Sequence, residues 1–256
     1  MQWVLQTNIF NEEGFDRLET ALQRRELPYS VHKVIPFVGE LDPEPVITEP
    51  KVIVMGSYSM ANYAQRKGWS PGSFVGDNLD FEVQKLAWGA LLFNYDAEVT
   101  TFGKIGEQVL PFFIRPTTDS KSFTGQVIDW PSFVEWRDRV CALSPDDGAT
   151  ITADTRVMVS PRKEIYSETR TWVVDGKVVT ASGYKIGTIK RYQAQVDERI
   201  VDFANACAKQ WSPDRAYVLD VFDTPNGLKI GEVNNLNSAG FYASDLGKLV
   251  DALESM

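Results

Sequence analysis

The sequence predicts a small α/β layer with parallel strands, followed by an α+β portion built from antiparallel hairpins. Three observations carry this. The first hundred residues alternate strand-like and helix-like segments, and two strong hairpin turns, Asp175-Gly176 and Pro225-Asn226-Gly227, lie in the second half. The 256 residues, 43% of them hydrophobic, can bury the core of one large or two small domains.

Residues 3–7 read as a short strand. Asn11 offers a cap for a helix running to about Arg25, with Phe15, Leu18 and Leu22 on one face. Residues 29–36 form the next strand. The apolar run 51–55 ends at Gly56, and residues 58–67 follow as a helix. Strand–helix–strand–helix order implies parallel strands. Residues 77–94 carry a helical pattern through Phe81, Leu86, Ala87 and Leu91, and residues 97–102 are strand-like. The character changes between Gly103 and Gly106, which places a domain boundary near residue 105. Beyond it the strands run as hairpins, interrupted by predicted helices at 131–142 and 192–209. There is no internal repeat or low-complexity segment.

Composition narrows the function classes. A net charge of −9 opposes binding to nucleic-acid backbones, whereas local arginines can still hold a magnesium nucleotide. The two cysteines, Cys141 and Cys207, form no CxxC pair and read as reduced, mostly buried thiols, which fits a cytoplasmic setting. The N-terminal residues lack the basic-then-apolar pattern of a signal peptide, and no run of 18 apolar residues exists to span a membrane. Oligomeric state is not legible. His32, the lone histidine, sits in an alternating run and reads as a packing or surface residue; its count excludes a histidine-based metal site.

The most informative segment is AYVLDVFDTPNGLKIGEVNNLNSAGFY, residues 216–242. A three-residue loop, Pro225-Asn226-Gly227, sets Thr224 opposite Leu228. Counting back puts Asp220 opposite Glu232 and Val218 opposite Asn234, so both acids and Asn234 share one face. Val218, Phe222, Leu228 and Ile230 fall on that face too. Two carboxylates on a largely apolar face are costly unless a cation neutralises them. Magnesium suits such oxygen ligands, with nucleotide phosphates completing its shell. The other reading is an ordinary hairpin with charges at its rim, and a two-residue loop turns Asp220 to the opposite face.

A second constellation is LPFFIRPTTDSKSFTG, residues 110–125. An apolar strand ends at Arg115-Pro116, a small-residue loop containing Lys121 follows, and another strand begins at Gln126. Such a loop offers backbone N–H groups to an anion, and Arg115 and Lys121 add charge. A surface hairpin with two solvated cations is the alternative. In a third segment, residues 156–185, Glu168, Arg170 and Trp172 share a strand face. Arg170 either pairs with Glu168 structurally or points into a site to hold phosphate or an oxyanion.

In order and spacing these segments resemble the ATP-grasp superfamily over residues 105–245. Asp220…Glu232-Val-Asn234 looks like its metal-binding signature, and Arg115 stands where many members have the lysine of a Lys-Pro pair. Arg156 to Ser160 looks like the edge strand that holds adenine, and Glu168-Thr-Arg170 before a Val-Val-Asp-Gly hairpin is similar to its arginine-bearing strand. The arginine-plus-lysine loop is most similar to a group known chiefly from bacteria and their viruses. The resemblance implies a pre-ATP-grasp-like α/β domain over 1–105 and an ATP-grasp domain over 106–256, with subdomains at about 106–160 and 161–256.

The resemblance further implies ATP and Mg2+ as cofactors. Arg115, Lys121, Lys104, Met158, Val159 and Glu164 would hold the nucleotide, and Asp220, Glu232 and Asn234 the metal. Asn237, Ser238 and Tyr242 would lie beside the acceptor substrate. Val218 stands where many members carry an arginine two residues before the metal aspartate, so Arg170 or Arg191 takes the oxyanion role. The implied activity is carboxylate–amine ligation through an acylphosphate, with small-molecule or peptide substrates. An ATP-grasp kinase, a silent nucleotide-binding protein and an unrelated α/β binding protein are the alternatives.

Overall fold

A computed structural model describes residues 1–9, 14–74, 79–118, 122–143 and 150–256. Contacts divide the chain into two compact units: Met1–Asp77 with Ile165–Met256, and Asn78–Glu164. The second unit thus sits in sequence between the two halves of the first. This division differs from the boundary expected near residue 105, because the strand at 98–101 pairs within the second unit.

In the first unit, β1 (Gln2–Gln6), β2 (Tyr29–Val34), β3 (Leu41–Asp42), β4 (Val52–Met55) and β5 (Pro71–Gly72) form a sheet in the order β3-β2-β1-β4-β5. β1 pairs in parallel with β2 and β4, as the alternating order of strands and helices requires, and β3 alone runs antiparallel. Helices α1 (Phe15–Gln23) and α2 (Tyr58–Arg66) are the expected ones. Asn11 lies outside the described residues, and α1 starts after Gly14. His32 is a packing residue: Nδ1 lies 2.5 Å from the Pro43 carbonyl and Nε2 2.8 Å from Ser30 Oγ.

The second unit holds α3 (Phe81–Trp88), β6 (Glu98–Thr101), β7 (Phe112–Pro116), β8 (Gln126–Ile128), α4 (Trp130–Cys141) and β9 (Arg156–Pro161). Its sheet runs β6-β9-β7-β8, antiparallel throughout. The predicted helix at 77–94 shortens to α3 and a 3-10 turn, because Gly89 adopts φ 52° and breaks it. Phe102, Phe112, Ile114, Phe133, Val157 and Val159 give this unit a core of its own.

The chain then returns to the first unit with β10 (Ser167–Val174), β11 (Lys177–Ile186), β12 (Ile189–Gln193), α5 (Glu198–Gln210), β13 (Ala216–Thr224), β14 (Gly227–Asn235) and α6 (Leu246–Glu254). The strands form an antiparallel sheet in the order β12-β11-β10-β13-β14. Asp175 (φ 46°) and Gly176 (φ 75°) make the β10–β11 turn with two positive φ values, the conformation an Asp-Gly pair favours. The helix expected over 192–209 starts only at Glu198, capped by Asp197, which accepts from the Arg199 N–H at 2.9 Å. Residues 189–193 instead turn back at Gly187 (φ 57°) as β12.

One face of this second sheet packs with the first sheet, α1 and α6. Trp3, Leu5, Ile53 and Met55 meet Trp172, Val218 and Leu236 there. Helix α6 contributes Leu246, Leu249, Val250 and Leu253 at i, i+3, i+4 and i+7, all buried; each is worth roughly 1.5–3 kcal/mol against exposure. Both cysteines are free; Cys207 is buried, but Cys141 is exposed, against the expectation that both are largely buried.

Candidate active site

The β13–β14 hairpin places the acids. Its loop has two residues, not three: Thr224 pairs with Gly227 across Pro225-Asn226. Alone, that loop would turn Asp220 away from Glu232. A register shift between Asp220 and Val221 leaves Gly231 as an extra residue on β14, so Asp220 still pairs with Glu232 and Val218 with Asn234. The two departures cancel beyond the bulge. Before it they do not, and Leu228 and Ile230 pair with Asp223 and Val221, on the opposite face from Asp220. Gly231 suits the bulge because a Cβ there would collide with the Phe222 ring.

Arg170 on β10 pairs directly with Asp220. Its Nε donates to Oδ1 at 2.9 Å and a terminal N–H to Oδ2 at 2.8 Å, a bidentate fork. The side chains are only 10% and 1% exposed. Burial works against the guanidinium charge, but the Asp220 carboxylate more than offsets it, and the Arg170 pKa is raised. Arg170 therefore pairs with Asp220, not with Glu168. Asn234 Nδ2 lies 3.5 Å from Asp220 Oδ2.

Glu168 has other partners. A bulge in β11 leaves Tyr184 extra, and Lys185 pairs with Glu168. The Tyr184 hydroxyl donates to Glu168 Oε2 at 2.6 Å, and Lys185 Nζ lies 2.5 Å from Oε1. Burial, then the charges of Asp220 and Glu168, push the Tyr184 phenol up. The Tyr184 ring stacks on Tyr242 at 5.1 Å, and Tyr192 stacks on Tyr242 at 4.9 Å. The Arg170 guanidinium carbon lies 4.8 Å from the Tyr242 ring centre and 5.6 Å from that of Tyr184.

Residues after the hairpin fasten the sheets together. Asn237 is buried. Its Nδ2 donates to the Val54 carbonyl at 2.6 Å, its Oδ1 accepts from Phe74 N–H at 2.7 Å, and its carbonyl accepts from Gly56 N–H at 2.8 Å. Ser238 is half-buried, and its N–H donates to Asn235 Oδ1. Asn237 and Ser238 line a cavity of about 40 Å3 with Met55, Gly56 and Ser57. The cavity lies at the carboxyl end of β4, the region where parallel sheets commonly take ligands. Arg191, on β12, is exposed and has no hydrogen-bond or ion-pair partner among the described residues.

The other expected residues fall in the second unit. Arg115 is half-buried on β7, its guanidinium carbon 5.6 Å from the Phe81 ring centre. Lys121 lies outside the described residues. Lys104 and Glu164 are exposed. Met158 and Val159 are buried on β9, which is not an edge strand as expected: β6 pairs with it on one side and β7 on the other. The strand is free of β6 only from Ser160 onward. Sequence reasoning missed Tyr184, Lys185 and Tyr192. Gly183 hinted at the β11 bulge that aims the first two, and Gly187 at the turn that makes Tyr192 a strand residue.

The residues fit a magnesium ion. Among the described residues, no three His, Cys, Asp or Glu side chains converge as a metal-binding group. A seat here would therefore be two carboxylates and the Asn234 amide, with phosphate oxygens completing it, the arrangement magnesium commonly takes. Arg170 uses one acceptor position on each Asp220 oxygen, and a carboxylate has about four.

A second sheet bearing a buried arginine–carboxylate row, with a separate antiparallel unit before it, is the ATP-grasp fold. A family profile described as an ATP-grasp domain, family 3 of its clade, matches residues 27–253, and the chain belongs to that family. Among solved structures, D-cycloserine synthetase DcsG matches with a TM-score of 0.62 and 14% identity, covering 100% of this chain and 99% of that one. D-alanine–D-alanine ligase from Bacillus anthracis gives 0.60 and 13%, over 99% and 92%. The ATP-grasp ligase PsnB, complexed with a phosphomimetic variant of its minimal precursor, Mg and ADP, gives 0.53 and 15%, over 99% and 96%. No curated protein matches the sequence. No helix among the described residues is long and apolar enough to cross a membrane.

Proposed function

We propose that this chain is an ATP- and magnesium-dependent ligase that joins a carboxylate to an amine. The observation that carries the reading is the row Arg170–Asp220–Glu232, in which two opposed acids share a face with a buried arginine. The names of the solved relatives, two of them ligases and one a synthetase, support it. A substrate carboxylate oxygen attacks the γ-phosphorus, and the bond to the β-phosphate oxygen breaks to release ADP. The amine nitrogen then attacks the acyl carbon, phosphate leaves, and the nitrogen loses a proton.

In this reading Asp220, Glu232 and Asn234 hold magnesium, which neutralises phosphate charge when bound. Arg170, fixed by Asp220, retains three further N–H donors for the developing oxyanion. Arg191 is the alternative for that role, although it lies on the sheet edge. Arg115, Lys121 and Lys104 serve the phosphates; Met158, Val159 and Glu164 serve the base, with the free edge beginning at Ser160. Asn237, Ser238 and Tyr242 flank the acceptor. The substrates are small molecules or peptides, and the free thiols fit the cytoplasm. Catalysis is mainly positioning and charge stabilisation.

The test is ADP release from MgATP with carboxylate and amine mixtures, together with calorimetric MgATP binding. Glu232→Ala should lower turnover about 10²–10³-fold, the effect of losing one electrostatic stabiliser, with its circular dichroism unchanged. Wild-type turnover by that variant would refute the assignment. An amide product, not a phosphorylated alcohol, separates the ligase from a kinase.

A further inference from the structure

The sheet face that carries Arg170 and Asp220 continues outward to Glu168 and Lys185, and then to β12. There Lys190 stands directly opposite Lys185. Like charges opposed across an antiparallel pair repel each other. Glu168 answers Lys185 through one oxygen and spends the other on the Tyr184 hydroxyl. Lys190 is exposed and has no hydrogen-bond or ion-pair partner among the described residues. A positive charge is therefore left unanswered beside the candidate site, in a chain of net charge −9.

Next to that charge lies an ordered aromatic surface. Tyr192 is 39% exposed and stacks on Tyr242, which stacks on Tyr184 and faces the Arg170 guanidinium. The rings thus lead from the buried arginine to solvent. Tyr242 holds a left-handed φ of 47°, a conformation that side chains other than glycine adopt at a cost. Its surroundings enforce it. The Tyr242 carbonyl accepts from Arg17, Ala243 N–H donates to Ser182 Oγ at 3.1 Å, and Asp245 N–H donates to Thr180 Oγ1 at 2.9 Å. A strained residue fastened on three sides, with its ring in a stack, is aimed.

We infer that this shelf, with Tyr192 as its floor and Lys190 at its rim, receives a carboxylate carried by the amine substrate. The acceptor is then an α-amino acid or a peptide with a free acid, not a simple amine. This deepens the ligase reading and rests on it. A single ammonium beside tyrosine hydroxyls matches a carboxylate monoanion. A phosphate dianion is better served by a guanidinium fork, and β12 aims none at this shelf. The competing role for Lys190 is to keep the edge strand from pairing with other chains.

The experiment measures ADP release from MgATP by the full chain, with each amino acid and the corresponding amino-acid amide as acceptor. The wild type should favour the free acids about tenfold or more, the size of one charge-assisted hydrogen bond. Lys190→Glu should erase that preference by raising KM for the acids while leaving kcat unchanged, and Lys190→Arg should restore it. Equal use of acids and amides by the wild type, or an unchanged preference in Lys190→Glu, overturns the inference and leaves the ligase reading standing. Absence of ADP release with every pair overturns the ligase reading, and the inference falls with it.

Discussion

Replacing Arg170 with methionine keeps the length of the side chain and removes its charge and its donors. Asp220 would then stand 1% exposed with neither of its two guanidinium hydrogen bonds. Breaking one side of such a buried pair costs about 3–5 kcal/mol, because the remaining charge is uncompensated. For a chain of this size that is roughly 6–20 °C in Tm. Removing both partners, as in Arg170→Met with Asp220→Leu, should recover most of the loss, since an apolar pair of similar volume is often neutral or better. Urea denaturation of the four proteins of this cycle, with and without MgCl2, checks the expectation. Magnesium should stabilise Arg170→Met more than the wild type, because the orphaned Asp220 and Glu232 attract a cation; adding Glu232→Gln should abolish that gain. A cost below about 1 kcal/mol for Arg170→Met, or a double variant as unstable as the single, would refute the claim that the pair is buried and interdependent.

Two further outcomes follow from neighbouring features. Asn237→Leu should destabilise the first unit by roughly 1–3 kcal/mol for each backbone group it strands, the Val54 carbonyl and the Phe74 N–H, as read by urea denaturation. A thiol reagent should label one cysteine per native chain, Cys141, and two after denaturation, because Cys207 is buried and its thiol is pushed up to about 12.

The sequence made much of this site readable, partly by compensation. Alternation along 216–235 identifies the two strands, and the pairing of Asp220 with Glu232 follows from a three-residue loop. The molecule reaches that pairing with a shorter loop and a bulge at Gly231. A bulge depends on what packs over it, here the Phe222 ring, and a strand pattern does not disclose that. The Arg170–Asp220 fork was hidden for a similar reason: within its own strand Arg170 has Glu168 as the obvious partner, and only strand order reveals the other. β12 was absorbed into a helical window because the pattern of α5 overran its start. The cap at Asp197 and the turn at Gly187 were the marks that could have separated them. Helix α6, by contrast, shows full helical spacing of its leucines and was legible throughout.

The interleaving of the two units has a consequence for synthesis. The strands β1, β2 and β4 leave the ribosome early, yet the side chains that cover them, including Leu236, Leu249 and Leu253, are translated last. The inserted segment carries its own apolar centre around Phe102 and Phe133 and can consolidate while the chain is still growing. The opening segment cannot. Its bare valines and leucines must wait for the closing helix and the stretch before it, an interval in which a nascent-chain chaperone has something to hold.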